Sequence, residues 1–183
     1  MKKALNDLKM NSFEGRFCLP SKYLLLILPI ILAILACLPI NILYAEDFTT
    51  GEFLFAKKLN RNSYIGIIYT HSVEKTSTSE WYRFENDNLI LMEERFKSLG
   101  AGLPADSPYK FEKTDDGFRL YDIEKPFEYV IYRTGAVHAN HILDIDGKKI
   151  KFTDFSQPMQ AVSFSVKKSF YAQLLYWRCI NGK

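Results

Sequence analysis

Tyr64-Ile65-Gly66-Ile67-Ile68-Tyr69-Thr70-His71 is the stretch that decides the fold. It is short, rich in β-branched and aromatic residues, and apolar on both alternating faces. That pattern suits a strand buried in the middle of a sheet. Runs of the same kind lie on either side, each bounded by turn residues. Residues 53–59 precede it. Residues 80–85 follow, with Glu80, Tyr82 and Phe84 on one face and Trp81, Arg83 and Glu85 on the other. The Asn86-Asp87-Asn88 turn then leads into a strand over 89–96. Thr114-Asp115-Asp116-Gly117 separates 109–113 from 118–123, and Asp146-Gly147, a type I′ hairpin signal, separates 138–145 from 148–152. Residues 161–166 read as another strand, and 169–180 as either a terminal helix or a last strand. No long 3.6-residue apolar stripe interrupts residues 47–168. The expected fold is mainly β: an antiparallel β-sandwich or barrel-like domain.

Ahead of it, residues 23–44 carry no charge. A helix needs about 20 apolar residues to cross the hydrocarbon core, and this stretch supplies them despite Pro29 and Pro39. The 183-residue chain has a formal charge of +3. Lys2, Lys3, Lys9, Arg16 and Lys22 outnumber Asp7 and Glu14 before the apolar stretch, and the remainder of the chain is balanced. Basic residues before a span predict a cytoplasmic N-terminus, with the rest outside. A folded part without net charge argues against nucleic-acid binding. The expected organisation is a basic segment over 1–22, a membrane-spanning anchor or signal segment over 23–45, and an extracytoplasmic all-β domain over 46–183. The protein is then a single-pass membrane protein. Cleavage after Ala45, giving a secreted or periplasmic form, and lipidation at Cys37 are the alternatives.

Composition narrows the class. Apolar residues make up 48% and aromatics 15%, which excludes a disordered chain. Three cysteines exclude a disulfide scaffold, and Cys179, alone in the outer domain, reads as a buried small hydrophobe.

Two segments stand out: His71-Ser72-Val73-Glu74, followed by Glu80-Trp81, and Gly100-Ala101-Gly102-Leu103-Pro104. In these features, present in order, the chain resembles a bacterial and archaeal family, the domain of unknown function numbered 1850. The resemblance covers about residues 52–105. It implies a small extracytoplasmic domain without a proven activity. It also implies an accessory role beside a tripartite carboxylate uptake transporter or its solute-binding protein.

The residues themselves suggest a polar pocket. If the chain reverses at Lys75-Thr76, His71 faces Glu80 and Tyr69 faces Tyr82, near enough for an imidazole–carboxylate contact. Lys-Thr is a poor two-residue turn, so a wider loop is expected. His71 and Arg83 have the chemistry to hold a small anionic ligand, Arg with two parallel hydrogen bonds. In a regular antiparallel pair, however, Arg83 points away from Glu80. The plainer reading is a His–Glu brace. Successive amides at Gly100 and Gly102 can form an anion nest, and Leu103 and Pro104 close that loop. The candidate ligand-binding residues are thus His71, Ser72, Glu74, Glu80, Arg83, Gly100 and Gly102.

No cofactor or metal is expected. The glycine loop lacks the third glycine of a dinucleotide fingerprint. His138 and His141, three apart, point to opposite faces of a strand. No G-x-S-x-G occurs. The leading expectation is a noncatalytic accessory or ligand-binding domain. A structural partner in a membrane complex and a small hydrolase using His71 and Glu80 as an acid–base pair are the alternatives.

Overall fold

The computed structural model describes residues 21–98, 108–133 and 140–181, with side chains from Leu25 to Ile180. The chain forms two compact units, Met1–Ala36 and Cys37–Lys183.

The described part of the first unit is one helix, α1 (Ser21–Ala36), of 16 residues with Pro29 inside it. From Leu25 to Leu35 its side chains are apolar and exposed, Leu25 by 76% and Ile27 by 37%. At 1.5 Å per residue it spans about 24 Å, short of the roughly 30 Å hydrocarbon core. Among the described residues no helix is long and apolar enough to cross a membrane. The span expected over 23–44 is therefore corrected. Its second half is a strand, β1 (Pro39–Asp47). Proline lacks the N–H that would continue a helix, and Pro39 stands where the strand begins.

β1 sits inside a four-stranded antiparallel sheet, order β2-β1-β11-β8, with β2 (Phe53–Leu59), β8 (Tyr129–Arg133) and β11 (Ala161–Phe170). It is apolar on both faces because both are covered. Leu43 and Ala45 enter the core shared with the second sheet. Ile40 and Ile42 lie under Leu174 of the C-terminal helix α2 (Tyr171–Asn181). Ile42, Leu43 and Ala45 have no exposed surface.

The second sheet has seven antiparallel strands in the order β10-β9-β3-β4-β5-β7-β6. They are β3 (Ile65–Thr70), β4 (Ser77–Glu85), β5 (Asn88–Phe96), β6 (Lys110–Thr114), β7 (Gly117–Phe127), β9 (Ile142–Ile145) and β10 (Lys148–Lys151). β3 is a central strand, as its two-faced apolar pattern requires. Asp146 (φ 54°) and Gly147 (φ 82°) take the left-handed conformations of a type I′ turn. Asn86 and Asp87 do the same between β4 and β5. One cluster joins residues of both sheets, including Leu43, Ile65, Ile67, Tyr82, Leu143, Val162 and Phe164. Among the described residues no closed barrel forms, which corrects that half of the expectation. β8 is a strand the sequence pattern did not reveal. Residues 169–180 finish β11 and then turn helical, and Cys179 is exposed rather than buried.

Candidate functional site

Hairpin register decides which side chains meet. β3 and β4 pair Ile67 with Glu80 and Tyr69 with Thr78. The reversal is the wider loop that Lys-Thr demands. The His71 amide donates to Thr76 O (2.8 Å), the Lys75 amide to His71 O (2.9 Å), and Lys75 adopts φ 53°. The register is displaced by four residues from the one that places His71 opposite Glu80. An even displacement keeps every side chain on its face but changes its partner.

Glu80 consequently meets phenols. Tyr69 Oη donates to Oε1 (2.9 Å) and Tyr82 Oη to Oε2 (2.7 Å), while the Tyr132 hydroxyl also bonds Oε2. The hydroxyls of Tyr82 and Tyr132 lie 2.6 Å apart. Tyr69 and Tyr82 come from the large sheet and Tyr132 from β8 of the small one, so Glu80 ties the two sheets together. Buried phenols need acceptors, and a carboxylate has room for several. The sequence alternation placed Glu80 and Tyr82 on one face, but nothing in it pointed to Tyr132.

Electrostatics follow from this packing. Burial, and after it the Glu80 charge, push the Tyr69, Tyr82 and Tyr132 hydroxyls well above the ordinary phenol range. Glu94 pairs with Glu80 across β4 and β5. Burial, then the Glu80 charge, raise the Glu94 carboxyl above the usual carboxylate range, and Lys125 opposes them. His141, buried, stacks on Tyr69 with ring centres 5.3 Å apart and meets the edge of Tyr132 at 6.2 Å. Tyr69, Glu80 and Glu94 keep partial exposure.

The His71–Glu74 turn is tied to the second motif. His71 Nδ1 accepts from the Glu74 amide (3.3 Å), so the neutral ring carries its proton on Nε2. Ser98 Oγ donates to Glu74 Oε2 (3.0 Å), which brings the turn beside the residue from which the glycine loop starts. Ser72 is exposed, and His71 and Glu74 are half-buried. Gly100, Gly102, Leu103, Pro104 and His138 lie outside the described residues.

Arg83 does not join them. It is exposed on the opposite face, 3.4 Å from Glu85 and 3.8 Å from Glu124. Trp81 also faces that way. Its ring lies over Gly66, stacks on Tyr64 (5.1 Å), donates from Nε1 to Ser79 Oγ (2.9 Å) and takes Arg95 at 5.1 Å. Beside it Glu93, with only 3% of its side chain exposed, is clamped by Arg95 (Nε to Oε1, 2.7 Å) and by Arg119. Tyr64 is pushed up to about 12 by burial and then by the Glu93 charge. Of these residues Ser79, Arg95 and Arg119 line a groove of about 400 Å³, together with Ser77, Lys97 and Glu112. Among the described residues no group of three metal-ligating side chains comes together.

No curated protein and no solved structure matches the chain. The family model described as a domain of unknown function (DUF1850) matches residues 65–152. The match runs from the first residue of β3 to the one after β10, so it contains the His71–Glu74 turn, Glu80, Trp81 and Tyr132 and leaves out β1, β2 and β11. Over residues 65–152 the chain matches the model of the DUF1850 family, the same family that its sequence motifs resemble.

Proposed function

We propose that the chain is a noncatalytic accessory domain, held at a membrane outside the cytoplasm, that binds a small amino- or hydroxy-carboxylate. The observation that carries this reading is the Ser98–Glu74 hydrogen bond. It brings the half-buried His71–Glu74 turn to Ser98, two residues before Gly100 in the sequence. On the neighbouring sheet face Tyr69, Glu80 and Glu94 are partly exposed residues. His71 Nε2–H is a donor for the ligand's carboxylate. Glu94 is the acceptor for its amine or hydroxyl. A purely anionic ligand fits this face less well, since Arg83 is committed to the other side. The resemblance in the motifs supports a place beside a carboxylate uptake transporter or its solute-binding protein. The exposed apolar surface of α1 and the basic residues before it support attachment to a membrane.

Catalysis by a His71–Glu80 pair is the weaker reading. Glu80 spends its oxygens on three phenols, and His71 Nδ1 on a backbone amide. A thermal-shift series on the unit from Cys37 tests the proposal with amino acids, hydroxy acids, simple carboxylates and amines. A ligand that binds only the folded state raises the melting temperature once its concentration exceeds Kd. The expected result is a rise for compounds with both groups, lost in His71→Ala and in Glu94→Gln. Cooperative melting with no shift for any compound overturns the reading and leaves the domain as a structural partner in a membrane complex.

A further inference from the structure

α2 presents two apolar faces. At 100° per residue, Leu174, with Tyr171 and Trp177, turns toward the small sheet and packs on Ile40, Ile42, Ala56, Tyr44 and Phe53. Away from it Leu175, Cys179, Ala172, Tyr176 and Ile180 follow one another within about 140° of the helix circumference. All five are exposed, Tyr176 and Ile180 by 62% and 61%, and no charged residue interrupts them. A helix end facing only water would be polar on that side.

The surroundings say what covers it. Pro39, where the chain enters the small sheet, is the register partner of Phe170, the residue before α2. The chain arriving from α1 and the chain leaving for α2 are thus one strand spacing, about 4.8 Å, apart. Leu38 and Phe170, 43% and 51% exposed, extend the apolar surface at that end. Cations border it. Lys58 Nζ lies 4.8 Å from the Tyr171 ring centre. Arg178 is on the helix itself, near enough to Lys57 to add, after burial and Lys148, to the causes that lower that ammonium's pKa.

We propose that α2 is an interfacial helix that lays Ala172, Leu175, Tyr176, Cys179 and Ile180 into the headgroup–acyl boundary of an acidic bilayer, with Lys58 and Arg178 on the headgroups. A short apolar face with a basic border is the chemistry of such helices. The proposal rests on the membrane attachment proposed above. It adds an orientation: the small sheet faces the bilayer, and the large sheet with the candidate site faces away.

The test uses the full chain with Cys18→Ser and Cys37→Ser, so that Cys179 is the one thiol. It is bound to vesicles of phosphatidylcholine with phosphatidylglycerol and separated by flotation. Cys179 should become protected from a water-soluble thiol reagent. A fluorophore on it should lose its emission to lipids carrying a shallow nitroxide. Leu175→Glu with Ile180→Glu, both at exposed positions, should abolish protection while the chain still floats and melts unchanged. Flotation with Cys179 still fully reactive overturns the α2 proposal and leaves the attachment through α1 standing. Failure to float overturns both. Protection without lipid, with Cys179 cross-linking between copies, assigns the face to a second copy and also overturns it.

Discussion

Removing residues before Glu46 should unfold the domain. The cut deletes Pro39 to Ala45 from the middle of the small sheet and leaves β2 without its neighbour. Ile40, Ile42 and Leu43 are 9%, 0% and 0% exposed. Burying an aliphatic side chain contributes about 1.5–3 kcal/mol, so these three account for roughly 5–9 kcal/mol. Both ladders of β1 are lost as well. A domain of this size has a total stability of only about 5–15 kcal/mol. The assay is urea unfolding of chains 37–183 and 46–183. It is followed by the fluorescence of Trp177, which packs on Phe53 (5.3 Å) and Tyr44 (5.5 Å) of this sheet. The longer chain should unfold cooperatively and the shorter should show no folded baseline. A peptide of residues 37–47 added to the shorter chain should restore the transition by strand addition. Equal midpoints for the two chains would refute the reasoning. The same arithmetic weighs against signal cleavage after Ala45, because the mature chain would lack its central strand.

Three further outcomes follow from the packing. Tyr132→Phe should cost about 1–3 kcal/mol and Glu80→Ala about 2–4 kcal/mol, since Tyr82 and Tyr132 then share one acceptor fewer. The double variant should cost less than the sum by about 0.5–3 kcal/mol, read from urea midpoints. Alkaline titration should unfold the domain. Tyr69, Tyr82 and Tyr132 hold their protons in the fold beyond the value of 10.0 at which the unfolded chain releases them. Their contribution is therefore full below pH 10 and lost as pH rises above it, so their phenolate absorbance should appear only together with unfolding. Gly66→Ala places a Cβ 2.6 Å from the Trp81 ring, which Tyr64, Ser79 and Arg95 hold in place. Such overpacking costs typically about 1–3 kcal/mol, and Trp81→Leu in the same chain should recover part of it.

Much of the large sheet was legible because its strands are short and its turns carry their own chemistry. Asn86-Asp87 and Asp146-Gly147 accept positive φ, and the strand limits beside them fall within a residue or two of expectation. Register was less legible. A four-residue displacement leaves the alternation of Tyr69, Glu80 and Tyr82 untouched, so no face pattern separates a His71–Glu80 pair from a Glu80–tyrosine cluster. The length of the reversal separates them, and only the poor turn character of Lys75-Thr76 hinted at it. Tyr132 was out of reach for another reason. It arrives from the other sheet, and β8 reads Tyr-Val-Ile-Tyr-Arg with only Val130 and Tyr132 buried.

The apolar stretch over 23–44 misled for a physical reason that also says how such a stretch should be read. A membrane helix and a strand covered on both faces both present unbroken apolar sequence, so periodicity cannot divide them. Length and proline can. Pro29 sits within α1, where proline is tolerated at the cost of a backbone hydrogen bond, whereas Pro39 opens β1 and its missing N–H removes a ladder donor only at the strand's end. After Pro39 the composition changes as well: Asn41 and Tyr44 follow a stretch, residues 24–36, that is Leu, Ile and Ala apart from Pro29. Asn41 pairs with Leu59 and Lys168, and the Tyr44 ring packs at a tilt against Phe53 and Trp177. β1 is thus built to meet protein on both faces, while α1 exposes apolar surface from Leu25 to Leu35. The fold depends on where that one run divides. The first half is a helix with exposed apolar side chains, and the second half is the strand around which the small sheet assembles.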